Sequence, residues 1–169
     1  CPRSEFYKEL CEARVAANIP RNKLQVPKYR AFLEKYCGLQ VPDESTLRKG
    51  YIDACYEHAL LSIRTEIGSS HTWIAVDEST DVLGRYVANL VVGRLSSDSA
   101  SKPYIIACRV LERTDHATVA RFVNDGLKVL WPGPVQDEKV LVMYTDPAAY
   151  MLKAAQSLKV FHPPLIHFL

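Results

Sequence analysis

Long apolar runs are missing from this chain: no stretch approaches the roughly 18 residues a helix needs to span a membrane, so no membrane partner is expected. Glycine is scarce, seven in 169 residues, and nowhere clustered, which excludes a phosphate-cradling glycine loop; no nucleophilic serine elbow is present either. The five cysteines (Cys1, Cys11, Cys37, Cys55 and Cys108) are an odd number at no zinc-like spacing, with no secretory signal ahead of them. A disulfide framework is therefore not expected, and they read mostly as small buried apolar residues in a reducing compartment. The five histidines are scattered without paired spacing. Net charge is also small, +2, and does not by itself argue for nucleic acid. A local excess lies between Asn18 and Lys35, where Arg21, Lys23, Lys28, Arg30 and Lys35 face Glu34 alone. That patch reads either as a solvated helical face or as a set of phosphate contacts through Arg21, Lys23, Lys28 and Arg30.

With 48% hydrophobic and 24% charged residues, the composition is that of an ordinary globular protein, and the length suits one core with a small helical appendage. The chain opens at Cys1 without an initiator methionine and closes inside the apolar run LIHFL, so both ends are expected to be cut.

The most informative stretch is His71–Leu95, HTWIAVDESTDVLGRYVANLVVGRL. Trp73 to Val76 form a short apolar run, the pattern of a strand buried on both faces. Alternation puts Asp77 with Trp73 and Ala75, and Glu78 with Ile74 and Val76. Gly84 supplies a turn, and Tyr86 to Val92 return as an antiparallel strand. The segment KVLVMYTD repeats the design, an apolar strand ending in Asp146. Asp146 also reads as a helix cap before Pro147. The cluster Asp77, Glu78, Asp81 reads equally as a solvated turn, with Asp81 shaping that turn.

Residues 1–67 are expected to be an all-helical unit. Ser4 caps a first helix. A second begins near Pro27, buries Phe32, Leu33 and Tyr36, and ends at Gly38. A third starts at Pro42–Ser45 with the stripe Leu47, Tyr51, Cys55, Leu61 and Ile67, broken at Gly50. Tyrosines 7, 29, 36, 51 and 56 fall at helical spacings and are expected to pack rather than stack on bases. Gly68 to Ser70 form the boundary, and 71–169 make the second domain.

That domain reads β-β-β-α-β-α-β. A polar loop at Ser96–Ser101 leads to a strand at Pro103–Leu111. A helix capped by Thr114 or Asp115 buries Val119, Phe122, Val123, Leu127 and Leu130 and stops at Trp131–Pro134. The helix after Asp146 puts Tyr150, Met151, Ala154, Ala155 and Leu158 inward, and Leu165–Leu169 is the last strand. Right-handed crossovers then give a mixed five-stranded sheet of order 3-2-1-4-5. The fold class is α+β or α/β, with the topology of a truncated ribonuclease H-like domain. Asp77 and Asp146 fall on adjacent parallel strands, at the sheet end where open α/β sheets commonly bind ligands. Two carboxylates forced together repel unless a cation lies between them, which suits Mg²⁺ or Mn²⁺ in phosphodiester chemistry.

These residues resemble a known family. DESTD after WIAV, the following GRYVANLVVG, and YTDPAAYMLKAAQSLKVFHPPLIHFL are similar to the catalytic core of hAT-family DNA transposases. CEARVAANIPRNKLQVPKYRAFLEKYCG resembles the non-zinc-finger region of CGG-repeat-binding protein relatives. The resemblance implies that Asp77 and Asp146 are the first two acids, and metal ligands, of a DDE triad for DNA strand cleavage and transfer. It also implies DNA and self-association as partners and the nucleus as location. Three family features are missing from this sequence: the third acid, a glutamate on a later helix; a Cys-x-x-His pair after the fifth strand; and a BED zinc finger ahead of residue 1. The chain alone is thus expected to bind Mg²⁺ or Mn²⁺ weakly and not to transpose. The alternatives are a domesticated non-catalytic nuclear DNA-binding factor and a dimerising scaffold for protein partners.

Overall fold

The computed structural model describes residues 2–97, 102–133 and 136–169. It divides into two compact units, Cys1–Leu61 and Ser62–Leu169. Each has its own buried apolar cluster.

The first unit holds helices α1 (Pro2–Ala16), α2 (Pro27–Cys37), α3 (Glu44–Gly50) and the start of α4 (Ile52–Ile67). A 3-10 turn at Arg21–Gln25, which apolar spacing did not signal, joins α1 to α2. Proline opens α2, and Gly38 closes it at φ 66°, a left-handed conformation that glycine adopts without a Cβ penalty. Tyr7, Cys11, Leu24, Val41, Leu47 and Cys55 form the core.

Four local expectations are corrected here. Helix α1 begins at Pro2, so Ser4 lies inside its first turn, its hydroxyl 3.4 Å from that of Tyr51, and does not cap it. In α2, Tyr29 and Leu33 turn to the core, whereas Phe32 and Tyr36 are exposed and lean on each other with centroids 4.9 Å apart. Tyr56 is exposed as well, so only part of the tyrosine set packs. The break at Gly50 and Tyr51 resets the helical phase, and Leu60 is buried in place of Leu61.

The second unit begins with the last turns of α4, whose Ile63 and Ile67 join the core of the sheet. Its strands are β1 (Thr72–Thr80), β2 (Tyr86–Arg94), β3 (Tyr104–Leu111), β4 (Val140–Tyr144) and β5 (Ile166–Phe168). Helices α5 (His116–Leu130) and α6 (Ala149–Leu158) supply the crossovers. The sheet order is β3-β2-β1-β4-β5, as the sequence pattern requires. Strand β1 pairs antiparallel with β2 and parallel with β4; β3 is antiparallel to β2, and β5 parallel to β4.

Helix α5 carries the strongest apolar stripe. Val119, Phe122, Val123, Leu127 and Leu130 are all buried, and the Asp115 side chain accepts from Thr118 N–H at 2.8 Å to cap it. Gly126 lets the helix come close: a Cβ there would lie 2.4 Å from Leu90 Cδ2 and 3.3 Å from Ala107 Cβ. The helices cover one face of the sheet. Ile74 and Val76 are therefore fully buried while Trp73 and Ala75 are only half-buried, so β1 is not sealed on both faces as its run of apolar residues suggested. Asp98–Ser101 of the polar loop and Pro134 of the helix stop lie outside the described residues. Cysteine burial is also only partly as expected: Cys11 and Cys55 are buried, Cys37 and Cys108 are exposed, and Cys1 lies outside the described residues.

Candidate functional site

The acids at one end of the sheet are set by register. The parallel β1–β4 ladder runs out at the pair Ala75 and Tyr144. Asp77 and Asp146 each follow their member of that last pair by two residues, so both leave the ladder at the same level. Beyond that point β1 continues against β2 alone, with Asp77 opposite Asn89 and Glu78 opposite Ala88.

Asp77 is exposed and belongs by alternation to the Trp73 face, while Glu78 continues the buried row Ile74, Val76 on the helix-covered face. Glu78 is half-buried, and its carboxyl accepts from the Tyr150 hydroxyl of α6 at 3.3 Å. Burial raises the Glu78 pKa above its ordinary 4.5; the Tyr150 hydrogen bond opposes this, and the charges of Asp146 and Asp77 add to it. The same surroundings push Tyr150 up to about 12, burial first, then the charges of Glu78 and Asp146. Glu78, Asp146 and Tyr150 therefore form one electrostatic group, with Asp77 adjoining through Glu78.

Asp146 is held from behind. Thr145 is buried, its N–H donates to the Phe168 carbonyl at 3.2 Å, and its hydroxyl lies 2.8 Å from His167 Nε2 on β5. Burial, with a contribution from Lys159, lowers the His167 pKa and keeps that ring neutral near pH 7. The Asp146 carboxylate accepts from Ala148 N–H at 3.3 Å, closing a short side-chain turn. Helix α6 starts at Ala149 with Ala148 in the cap position, so Asp146 is not its cap and remains exposed.

Asp81 shapes the β1–β2 turn. Its Oδ1 accepts from Leu83 N–H and Arg85 N–H at 2.9 Å each, and its Oδ2 pairs with Arg85 at 2.7 Å. The hydrogen bonds from Arg85 hold its carboxyl below the usual range.

Compared with known protein families and with curated proteins, the chain matches no family model and no curated sequence.

Among the described residues, no group of three or more His, Cys, Asp or Glu side chains is arranged to hold a metal ion. Sequence spacing does not mark Glu78 and Tyr150 as site residues, although it puts Glu78 on the Ile74 face and Tyr150 inward. The missing step was to ask which face the helices cover.

In the first unit, Arg21 and Lys23 lie on the 3-10 turn and Lys28 and Arg30 on α2. Arg30 is engaged structurally: it pairs with Glu34 at 3.2 Å and donates to the Val41 carbonyl, tying α2 to the segment before α3. Arg21 lies 3.9 Å from Glu44, whereas Lys23 and Lys28 are exposed.

Proposed function

We propose that this chain is a transposase-derived DNA-binding protein of the hAT type, built on a ribonuclease H-like sheet. In this reading Asp77 and Asp146 are two acids of a DDE site that is weak or inactive in this chain alone. The observation that carries it is register: Asp77 and Asp146 each lie two residues past Ala75 and Tyr144, the last pair of the parallel β1–β4 ladder. Like charges held together in a fold are the condition a divalent cation relieves.

Asp77 and Asp146 would hold Mg²⁺ or Mn²⁺, which would supply Lewis-acid stabilisation of a phosphodiester oxygen. Glu78 would accept a proton or orient a bound water, with its carboxyl fixed by Tyr150. Thr145 and His167 would position the Asp146 backbone. DNA is the partner, the nucleus the location, and self-association through the helical unit accompanies it.

A second reading is a domesticated DNA-binding factor or dimerising scaffold without catalysis, supported by the exposed Lys23 and Lys28 of the helical unit. Titration with Mn²⁺ separates the two. Binding that is lost in Asp77→Asn and in Asp146→Asn supports the metal site, and duplex affinity indifferent to both substitutions and to Mn²⁺ supports the non-catalytic factor.

A further inference from the structure

A groove of about 300 Å³ opens between β3 and the first half of α5, lined by Arg109, Arg113 and Arg121 together with Thr118, Phe122 and Asp125. Arg109 lies over the Phe122 ring at 5.9 Å and pairs with Asp125 at 3.0 Å; Arg113 lies 3.6 Å from Asp115. Among the described residues Arg121 has no carboxylate partner, its Nε reaching the Ala117 carbonyl at 3.4 Å. The two ion pairs are exposed, so each contributes little and can exchange its carboxylate for another oxyanion. Guanidinium forks match phosphate oxygens two at a time.

Register links this groove to the acids. Glu78 pairs with Ala88, and Ala88 pairs with Arg109. Two interstrand steps of roughly 5 Å put the Arg109 backbone about 10 Å from that of Glu78. Both side chains lie on the helix-covered face, Arg109 against Phe122 of α5 and Glu78 against Tyr150 of α6. An extended strand covers that separation in a few nucleotides, so its phosphates can meet the arginines while it passes the acids. The arginines are too open to enclose a small molecule, since the Arg109 and Arg113 side chains are 54% and 77% exposed.

We propose that Arg109, Arg113 and Arg121 form a phosphate track that holds the backbone of a DNA strand as it passes the Glu78–Asp146 end of the sheet. This rests on the DNA reading above and names the surface that carries it.

The test is fluorescence anisotropy with a labelled 12-nucleotide single strand, in EDTA so that no divalent ion contributes. The Arg109→Gln, Arg121→Gln double variant is expected to bind about ten-fold more weakly. Its slope of log affinity against log salt should fall by about 1.4, the loss of two contacts at about 0.7 each. Asp125→Asn should tighten binding. The corresponding double lysine variant should keep most of the slope while losing affinity, because the charge remains and the fork does not. All of these positions are surface ones, and an unchanged melting temperature verifies folding. Wild-type affinity and slope in the glutamine variant overturn the track, as does a phosphoserine peptide that displaces the strand at equal affinity. Loss of Mn²⁺ binding with arginine-dependent DNA binding intact would remove the metal reading and leave the track standing.

Discussion

Glu78 carries a charge that the fold resists, and this has a pH signature. Its pKa is raised in the native state, so between about pH 4.5 and the native value the folded chain keeps a proton that the unfolded chain has released. The stability this contributes is fully present below about pH 4.5 and is lost as pH rises through the native value. Glu78→Gln should therefore leave the melting temperature unchanged near pH 4 and raise it at pH 7; equal melting temperatures for the two proteins at pH 7 would show that Glu78 is not strained. The cysteines divide just as sharply. Cys55 is buried beside Cys11, and desolvation with the Cys11 hydrogen bond pushes its thiol up to about 11. At pH 8 iodoacetamide should label Cys37 and Cys108 rapidly and Cys55 only on unfolding, read by peptide mass spectrometry. Neither outcome is legible in the sequence, where all cysteines look alike and Glu78 is one acid among three. What differs is burial, which the local pattern around DESTD does not encode.

At the scale of elements, α5 was the most legible part of the chain, because its apolar stripe, its Asp115 cap and its stop at Trp131 agree with one another. Its one unannounced feature is Gly126, which a helix reading would tolerate only at a cost in propensity. The close approach to Leu90 and Ala107 accounts for it. Gly126→Ala gains up to about 1 kcal/mol of helix propensity but must displace the fully buried Leu90 side chain. Overpacking typically costs about 1–3 kcal/mol, and its middle value of about 2 outweighs that gain, so a net loss of about 1 kcal/mol is expected in urea unfolding. Helix α2 shows the opposite case. Phe32 and Tyr36 lie at the spacing of a buried stripe, yet the adjacent stripe of Tyr29 and Leu33 faces the core. Spacing identifies which residues share a face, and packing decides which of two neighbouring apolar faces is covered.

For the whole molecule, the sheet order followed from element order and crossover handedness alone, because few topologies satisfy both. That β1 and β4 are neighbours was legible for the same reason, since paired residues such as Thr72 and Val140 are 68 positions apart and adjacent only through that topology. The arginine groove was not legible. Arg109 lies on β3 and Arg121 on α5, and no spacing rule along the chain pairs a strand residue with a helix residue. Carboxylates at the ends of β1 and β4 are proposed to share a cation. This is tested most directly by calorimetric titration of the intact chain with Mn²⁺ at pH 7, alongside Asp77→Asn and Asp146→Asn. Weak binding at one class of site, reduced at least ten-fold in either variant, is the predicted result. Mn²⁺ binding of equal strength in all three proteins, or none in the wild type, would contradict it.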